Sequence, residues 1–192
     1  MNIILASNSP RRKELLTGLE LPFEVRTLPD IDESFPPSLQ EGDIPLFISC
    51  AKADAYRALM VEDELLITAD TIVWIEGEVL GKPTGEADAY RMLQRLSGNT
   101  HQVFTGVCLT TTKWQRSFSC RTDVTFAVLS EKEMLHYVTK YRPFDKAGAY
   151  GIQEWIGYIG CTGLQGSYYN VMGLPVQRLY KELKECGVIP PL

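Results

Sequence analysis

The first nineteen residues constrain the chain more than any other stretch. Asn2 to Ala6 is a short apolar run, as a buried strand requires. Ser7, Asn8 and Ser9 follow as turn and cap residues, and Pro10 suits a first helical turn. Arg11 to Leu19 then continues with Leu15, Leu16 and Leu19 at helical spacing. A strand that passes through a capped loop into a helix begins an α/β unit. Free N–H groups at a helix start, with hydroxyls beside them and guanidinium groups in the first turn, make a place for an anion. Basic side chains there oppose the helix dipole, and an anion among them relieves the conflict. The plain alternative is a capped helix with solvated basic residues.

The rest of the chain repeats this alternation. Phe23 to Leu28 reads as a second strand, and Pro29 to Gly42 as a polar loop carrying Asp30, Asp32, Glu33 and Glu41. Ile44 to Val61 is the longest helical stretch, with Phe47, Ile48, Ala51, Ala55, Ala58 and Leu59 on one face. Leu65 to Thr68 and Thr71 to Ile75 are β-rich runs flanking Ala69-Asp70. Gly77 marks a turn before Val79-Leu80, and Thr84 is placed to cap a helix over Gly85 to Leu96. Gln102 to Thr112 and Ser117 to Leu129 form a strand pair, and Ser130-x-x-Glu133 opens a helix over Glu131 to Lys140 with a capping box. Asp145 to Gln153 is rich in Gly and Ala. Gly166 to Asn170 and Gly173 to Pro175 read as turns and helix starts, and Val176 to Cys186 as a final amphipathic helix. Helices interleaved with strands in a chain of 192 residues, without repeats or linkers, predict one α/β domain over 1–192.

Composition narrows the function. Nineteen Lys and Arg against twenty-four Asp and Glu give a net charge of −5, which argues against nucleic acid as a partner but leaves room for a small polyanion met by local positive charge. No apolar run reaches the roughly 20 residues that cross a bilayer, so no membrane association is expected. Met1 to Ser7 lacks the pattern of a secretory signal. Five scattered cysteines without C-x-x-C fit buried reduced thiols in a cytoplasmic protein. Only His101 and His136 are available for histidine chemistry, and both read as ordinary side chains.

Several polar positions remain. Asp70, between two β-rich runs, is the best general base or metal ligand, because a strand-end acid is costly to bury without a partner; a turn aspartate is the alternative. Lys52 lies among apolar residues of the long helix, where it either snorkels or reaches a phosphate. Asp32 and Glu33 read most simply as a solvated acidic loop. Gly81-Lys82-Pro83 lacks the spacing and the hydroxyl of a Walker loop, yet Lys82 is still placed to meet a phosphate. Gln153 offers both donor and acceptor to a base edge, behind small residues that permit close approach.

Six segments appear in order from residue 5 to 175: Leu5 to Arg12, Ala51-Lys52-Ala53, Ala69 to Val73, Gly81-Lys82-Pro83, Asp145 to Gln153 and Gly173-Leu174-Pro175. Together they resemble the Maf family of nucleoside triphosphate pyrophosphatases. One stretch departs: Gly160 to Gln165 holds no charged residue where the family often carries one. The resemblance implies a mixed, strongly bent sheet flanked by helices, with two lobes around a cleft, related to the inosine triphosphate pyrophosphatases. It implies metal-dependent hydrolysis (Mg²⁺ or Mn²⁺) of a nucleoside triphosphate to the monophosphate and pyrophosphate, by a homodimer. Asp70 matches the proton acceptor. Arg11, Thr71 and Gln153 match positions of substrate choice, in the combination of the subfamily acting on dTTP and UTP, with modified pyrimidines as further substrates. Ser7, Arg12, Lys52 and Lys82 match phosphate-binding positions, and Glu33 with Asp70 would hold the metal. The competing readings are a nucleotide-binding regulator of cell division without turnover and a nucleic-acid-binding protein.

Overall fold

The computed structural model describes residues 1–189. Its strands are β1 (Asn2–Leu5), β2 (Phe23–Val25), β3 (Glu64–Ile75), β4 (Glu78–Leu80), β5 (Thr100–Thr110), β6 (Gln115–Phe126) and β7 (Cys161–Gln165). The helices are α1 (Pro10–Thr17), α2 (Asp43–Tyr56), α3 (Glu86–Leu96), α4 (Glu131–Tyr141), α5 (Trp155–Gly160), α6 (Tyr168–Met172) and α7 (Val176–Glu185). The strands form one seven-stranded sheet in the order β2-β1-β3-β5-β6-β7, with β4 paired to β3 off this path. The sheet is mixed: β1 runs parallel to both β2 and β3, whereas β3–β4 and β6–β7 are antiparallel. The α/β expectation holds.

Two compact units share these strands. The first comprises Met1–Asp70, Thr105–Cys120 and Gly173–Leu192; the second comprises Thr71–Phe104 and Arg121–Met172. In the first, Ile3, Ile4 and Leu5 of β1 and Leu65, Leu66 and Ile67 of β3 are buried. Such continuous apolar runs are what strands covered on both faces require. The α2 helix lies directly against β5 at Gly106, where a Cβ would come within 2.3 Å of the Pro45 carbonyl.

In the second unit, His101 is fully buried. Its Nε2 lies 2.7 Å from the Tyr150 hydroxyl, and Phe126 and Tyr150 pack edge-on against its ring. Burial pushes its pKa down to about 4, so it stays neutral near pH 7, as an ordinary core side chain. His136 packs against Trp155. None of the five cysteines forms a disulfide among the described residues.

Several local expectations need correction. Leu65–Thr68 and Thr71–Ile75 are not separate runs: β3 passes without a break through Ala69 and Asp70, so Asp70 is an interior strand residue. Thr84 is not the cap of α3. Gly85 holds that position, while the Thr84 N–H and hydroxyl both donate to the Asp88 carboxylate, at 2.9 and 3.2 Å. The long helix stops at Tyr56 and ends in a 3₁₀ turn over Arg57–Leu59. The uncharged stretch before Gly166 forms β7, paired to β6, and α5 precedes it. The capping box forms as expected, with the Ser130 hydroxyl accepting from the Glu133 N–H and the Glu133 carboxylate accepting from the Ser130 N–H.

The Gly106 contact carries a test. A Gly106→Ala methyl would overlap the Pro45 backbone, which cannot rotate away as a side chain can. The substitution is expected to destabilise the protein by about 3 kcal/mol in urea denaturation.

Candidate active site

The polar residues singled out by the sequence fall into two sets, one in each unit. In the first unit the parallel pairing of β1 with β3 sets the geometry. Leu5 lies opposite Ile67, and the Ala6 N–H donates to the Ile67 carbonyl at 3.0 Å. Parallel strands point the same way, so Ser7, two residues past Leu5, and Asp70, three past Ile67, both lie beyond the same end of the paired stretch.

Past β1 the chain turns through Ser7, whose hydroxyl accepts from the Ser9 N–H at 3.2 Å. Ser9 is the N-cap of α1, with Pro10 at its first turn, and no acidic residue occupies that turn. Arg12 follows. Its Nε donates to the Gly173 carbonyl at 2.8 Å, fixing the guanidinium at a backbone position that lies just before α7. Burial lowers the pKa of Arg12; the charges of Asp70 and Glu33 oppose that shift and Arg11 adds to it. Those four charges therefore lie within electrostatic reach of one another.

Lys52 is the centre of the set. Its Nζ lies 2.8 Å from an Asp70 oxygen and 2.8 Å from a Glu33 oxygen. The register that allows this comes from Thr68, whose hydroxyl donates to the Ser49 carbonyl at 2.7 Å. Thr68 is two residues before Asp70 on one strand face, and Ser49 is three residues before Lys52 on one helix face. One hydrogen bond therefore brings the lysine to the aspartate. Glu33 reaches the same ammonium from the acidic loop. Its neighbour Asp32 bonds within the loop instead. The Asp32 carboxylate accepts from the Ser34 N–H and hydroxyl, at 2.8 and 2.9 Å, and these bonds hold its pKa below the usual range. Asp32 shapes the loop, and Glu33 is the acid that leaves it.

The second unit holds Thr71, Lys82 and Gln153. Thr71 directly follows Asp70 on β3 and so points to the opposite face. Lys82 is exposed just past β4. The Gly148 N–H donates to the Gly81 carbonyl at 3.1 Å, which brings the Gly81-Lys82-Pro83 segment against the Asp145-to-Gln153 segment. Gly148 adopts a left-handed φ of 68°, and a Cβ there would sit 2.8 Å from Val73. Gln153 is half-buried, and its Oε1 is buried with no hydrogen-bond partner among the described residues. A buried amide oxygen in that state has hydrogen-bonding capacity to spare.

The family described as Maf-like protein matches residues 2–186. The chain belongs to the Maf family. Among its relatives, a dTTP/UTP pyrophosphatase of Bacteroides thetaiotaomicron is 65% identical over 183 residues, covering 95% of each chain. A dTTP/UTP pyrophosphatase of Porphyromonas gingivalis is 55% identical over 188 residues, covering 96% of this chain and 94% of the relative. Of solved structures, the Staphylococcus aureus Ham1 protein aligns with a TM-score of 0.52 at 16% identity, over 97% of this chain and 100% of that one. A HAM1 protein from Coxiella burnetii aligns with a TM-score of 0.51 at 14% identity, over 96% and 99%. This Maf chain thus shares the Ham1 fold at low sequence identity.

Among the described residues of this Maf chain, no group of three or more His, Cys, Asp and Glu side chains converges as a metal site. Glu33 and Asp70 provide two carboxylates. That number suits a hard cation which takes its remaining oxygens from water and substrate phosphates, and does not suit a closed protein cage. Sequence reasoning missed Tyr137, Lys146 and Glu154, which surround Gly151 beside Gln153. Lys146 lies within the Asp145-to-Gln153 motif and Glu154 directly follows it, and both were legible as charges there. Tyr137 gave no signal beyond an aromatic on an apolar helix face.

The Lys52 pair carries a stability test. Lys52→Met leaves a mostly buried Asp70 carboxylate without its cation and is expected to cost on the order of 2 kcal/mol at pH 7. Adding Asp70→Asn should recover most of that loss. A double variant as unstable as Lys52→Met would mean that the uncompensated Asp70 charge is not the source of the loss.

Proposed function

We propose that the protein hydrolyses dTTP and UTP, and modified pyrimidine triphosphates related to them, to the monophosphate and pyrophosphate. The observation that carries this reading is Asp70, a strand-interior carboxylate held 2.8 Å from Lys52 beside a helix start that is free of acidic residues. The relatives named dTTP/UTP pyrophosphatase at 55–65% identity supply the substrate class.

Water attacks the α-phosphorus, and the bond to the bridging oxygen of pyrophosphate breaks. Asp70 orients that water and accepts its proton. Ser7 and the first N–H groups of α1 bind phosphate oxygens, and Arg12, Lys52 and Lys82 offset the charge of the triphosphate. Lys52 also prevents Glu33 and Asp70 from repelling the incoming anion. Glu33 and Asp70 would hold a divalent cation, Mg²⁺ or Mn²⁺, whose bound form polarises phosphate oxygens and makes water more acidic. Arg11, Thr71 and Gln153 select the base and sugar. The half-buried Gln153 amide accepts from an N–H of the base through its oxygen and donates to a carbonyl through its nitrogen; uracil and thymine offer that pair side by side. The reading extends to a homodimer acting in the cytoplasm on free nucleotides.

Two measurements test it. Asp70→Asn should lower kcat for dTTP by at least about 10²-fold, with pyrophosphate as the product released by the wild-type protein. Full activity in the variant, or release of orthophosphate, would overturn the mechanism. Arg11→Ala and Gln153→Ala should each change the ratio of kcat/KM values among UTP, CTP and ATP. Unchanged ratios in both would remove these residues from base selection.

A further inference from the structure

We propose that Tyr137 is a positioning residue for base selection, and that its hydroxyl clamps both flanks of the turn presenting Gln153. The inference rests on the reading of Gln153 as a base-selecting residue.

Gln153 sits in a tight turn. The Glu154 N–H donates to the Gly151 carbonyl at 3.0 Å, closing a four-residue loop over Gly151-Ile152-Gln153-Glu154. Gln153 is the third residue of that loop. Such a turn on its own leaves a side chain free to swing with the backbone. Here one atom from another element fixes both ends. The Tyr137 hydroxyl accepts from the Gly151 N–H at 3.0 Å and donates to the Glu154 carboxylate. Gly151 and Glu154 are the first and last residues of the turn, so the clamp spans it.

The clamp itself is held. Tyr137 is fully buried and stacks on Tyr141, with ring centroids 5.0 Å apart. Its helix, α4, is fixed in register by the Ser130–Glu133 capping box. Burial, followed by the bond to Glu154, raises the phenol pKa, so the hydroxyl keeps its proton and remains a donor. On the far side, Lys146 is itself buried, and its Nζ lies 3.1 Å from Glu154 and 2.8 Å from Asp145. The ammonium offsets the carboxylate charge that the phenol hydrogen-bonds. A chain of charge-assisted bonds in a buried place is rigid and strengthens along its length.

Gly151 leaves room for the Gln153 amide to fold back over the turn. A methyl on Gly151 would lie 3.0 Å from the Glu154 Cδ, 3.1 Å from the Lys146 Cε and 3.2 Å from the Gln153 Nε2. The Glu154 carboxyl, the Lys146 stem and the amide itself are thus packed around one backbone position. A base edge is read by two hydrogen bonds at fixed separation, so small displacements of this amide weaken recognition of one base relative to another.

The test compares Tyr137→Phe, Gly151→Ala and Gln153→Ala, using UTP and CTP as probes with pyrophosphate release as the readout. Tyr137→Phe keeps the ring and deletes the clamp. It should lower the UTP-to-CTP ratio of kcat/KM by about fivefold, the scale of one weakened hydrogen bond, and the loss should fall on KM for UTP. In a Gln153→Ala background the same substitution should leave the ratio unchanged, since the group it positions is gone. Gly151→Ala should shift the ratio in the same direction, and it decides the question if Tyr137→Phe does not fold. If Gln153→Ala changes the ratio while both positioning variants leave it at the wild-type value, the clamp is wrong and the reading of Gln153 stands. If Gln153→Ala itself leaves the ratio unchanged, the reading of Gln153 fails and the inference falls with it.

Discussion

An aspartate in the interior of a buried strand has to be answered by a cation, and much of the first unit is arranged to supply one. Asp70 and Lys52 are each almost nine-tenths buried at the side chain. Neither is stable there alone, because removing a charge from water costs several kcal/mol without a partner. The Thr68–Ser49 bond aligns α2 with β3, the bare backbone at Gly106 lets the helix come close, and the Asp32–Ser34 turn delivers Glu33 to the same ammonium. Side chains that look unrelated in the sequence serve one electrostatic requirement.

The overall charge of −5 conceals this arrangement. Arg11, Arg12 and Lys52 bring three positive charges into reach of two carboxylates, so the local balance is positive although the chain is acidic. The hydrogen bonds of Ser7 and Ser9 organise the helix start beside them. The second unit solves a similar problem with different groups. There a buried lysine, a carboxylate and a phenol share their charges and protons around a glycine, and a half-buried amide is what they leave for use.

Much of this was readable from the residues. The β1–α1 unit, the capping box of α4 and the amphipathic α7 follow from patterns that are local, where the residues that decide the conformation lie within a few positions of each other. The motif residues Glu33, Lys52 and Asp70 were identifiable singly, but their meeting depends on strand pairing and helix docking across tens of residues. Asp70 broke the apolar run and so read as the end of a strand; the ion pair that lets β3 continue is non-local. The segments α5 and β7 were missed because both are short and contain glycine, and β7 takes its conformation from pairing with β6, whereas the start of α6 was legible in the turn at Gly166. Tyr137 was hidden for the opposite reason. Its ring satisfies the apolar pattern of α4, and that pattern says nothing about its hydroxyl.

The bond between Arg12 and the Gly173 carbonyl joins positions 161 residues apart in sequence. The second unit is assembled from residues 71–104 and 121–172, so all of it leaves the ribosome before Gly173 does. The first unit takes its last segment from residue 173 onward, and the start of α1 waits for that segment before Arg12 has its carbonyl. Contacts of such high separation form late, after the loop-closure cost has been met. In a nascent chain the turn over Gly151 to Glu154 can therefore mature while Arg12 still lacks its carbonyl, and the charged set of the first unit is completed only with the final helix.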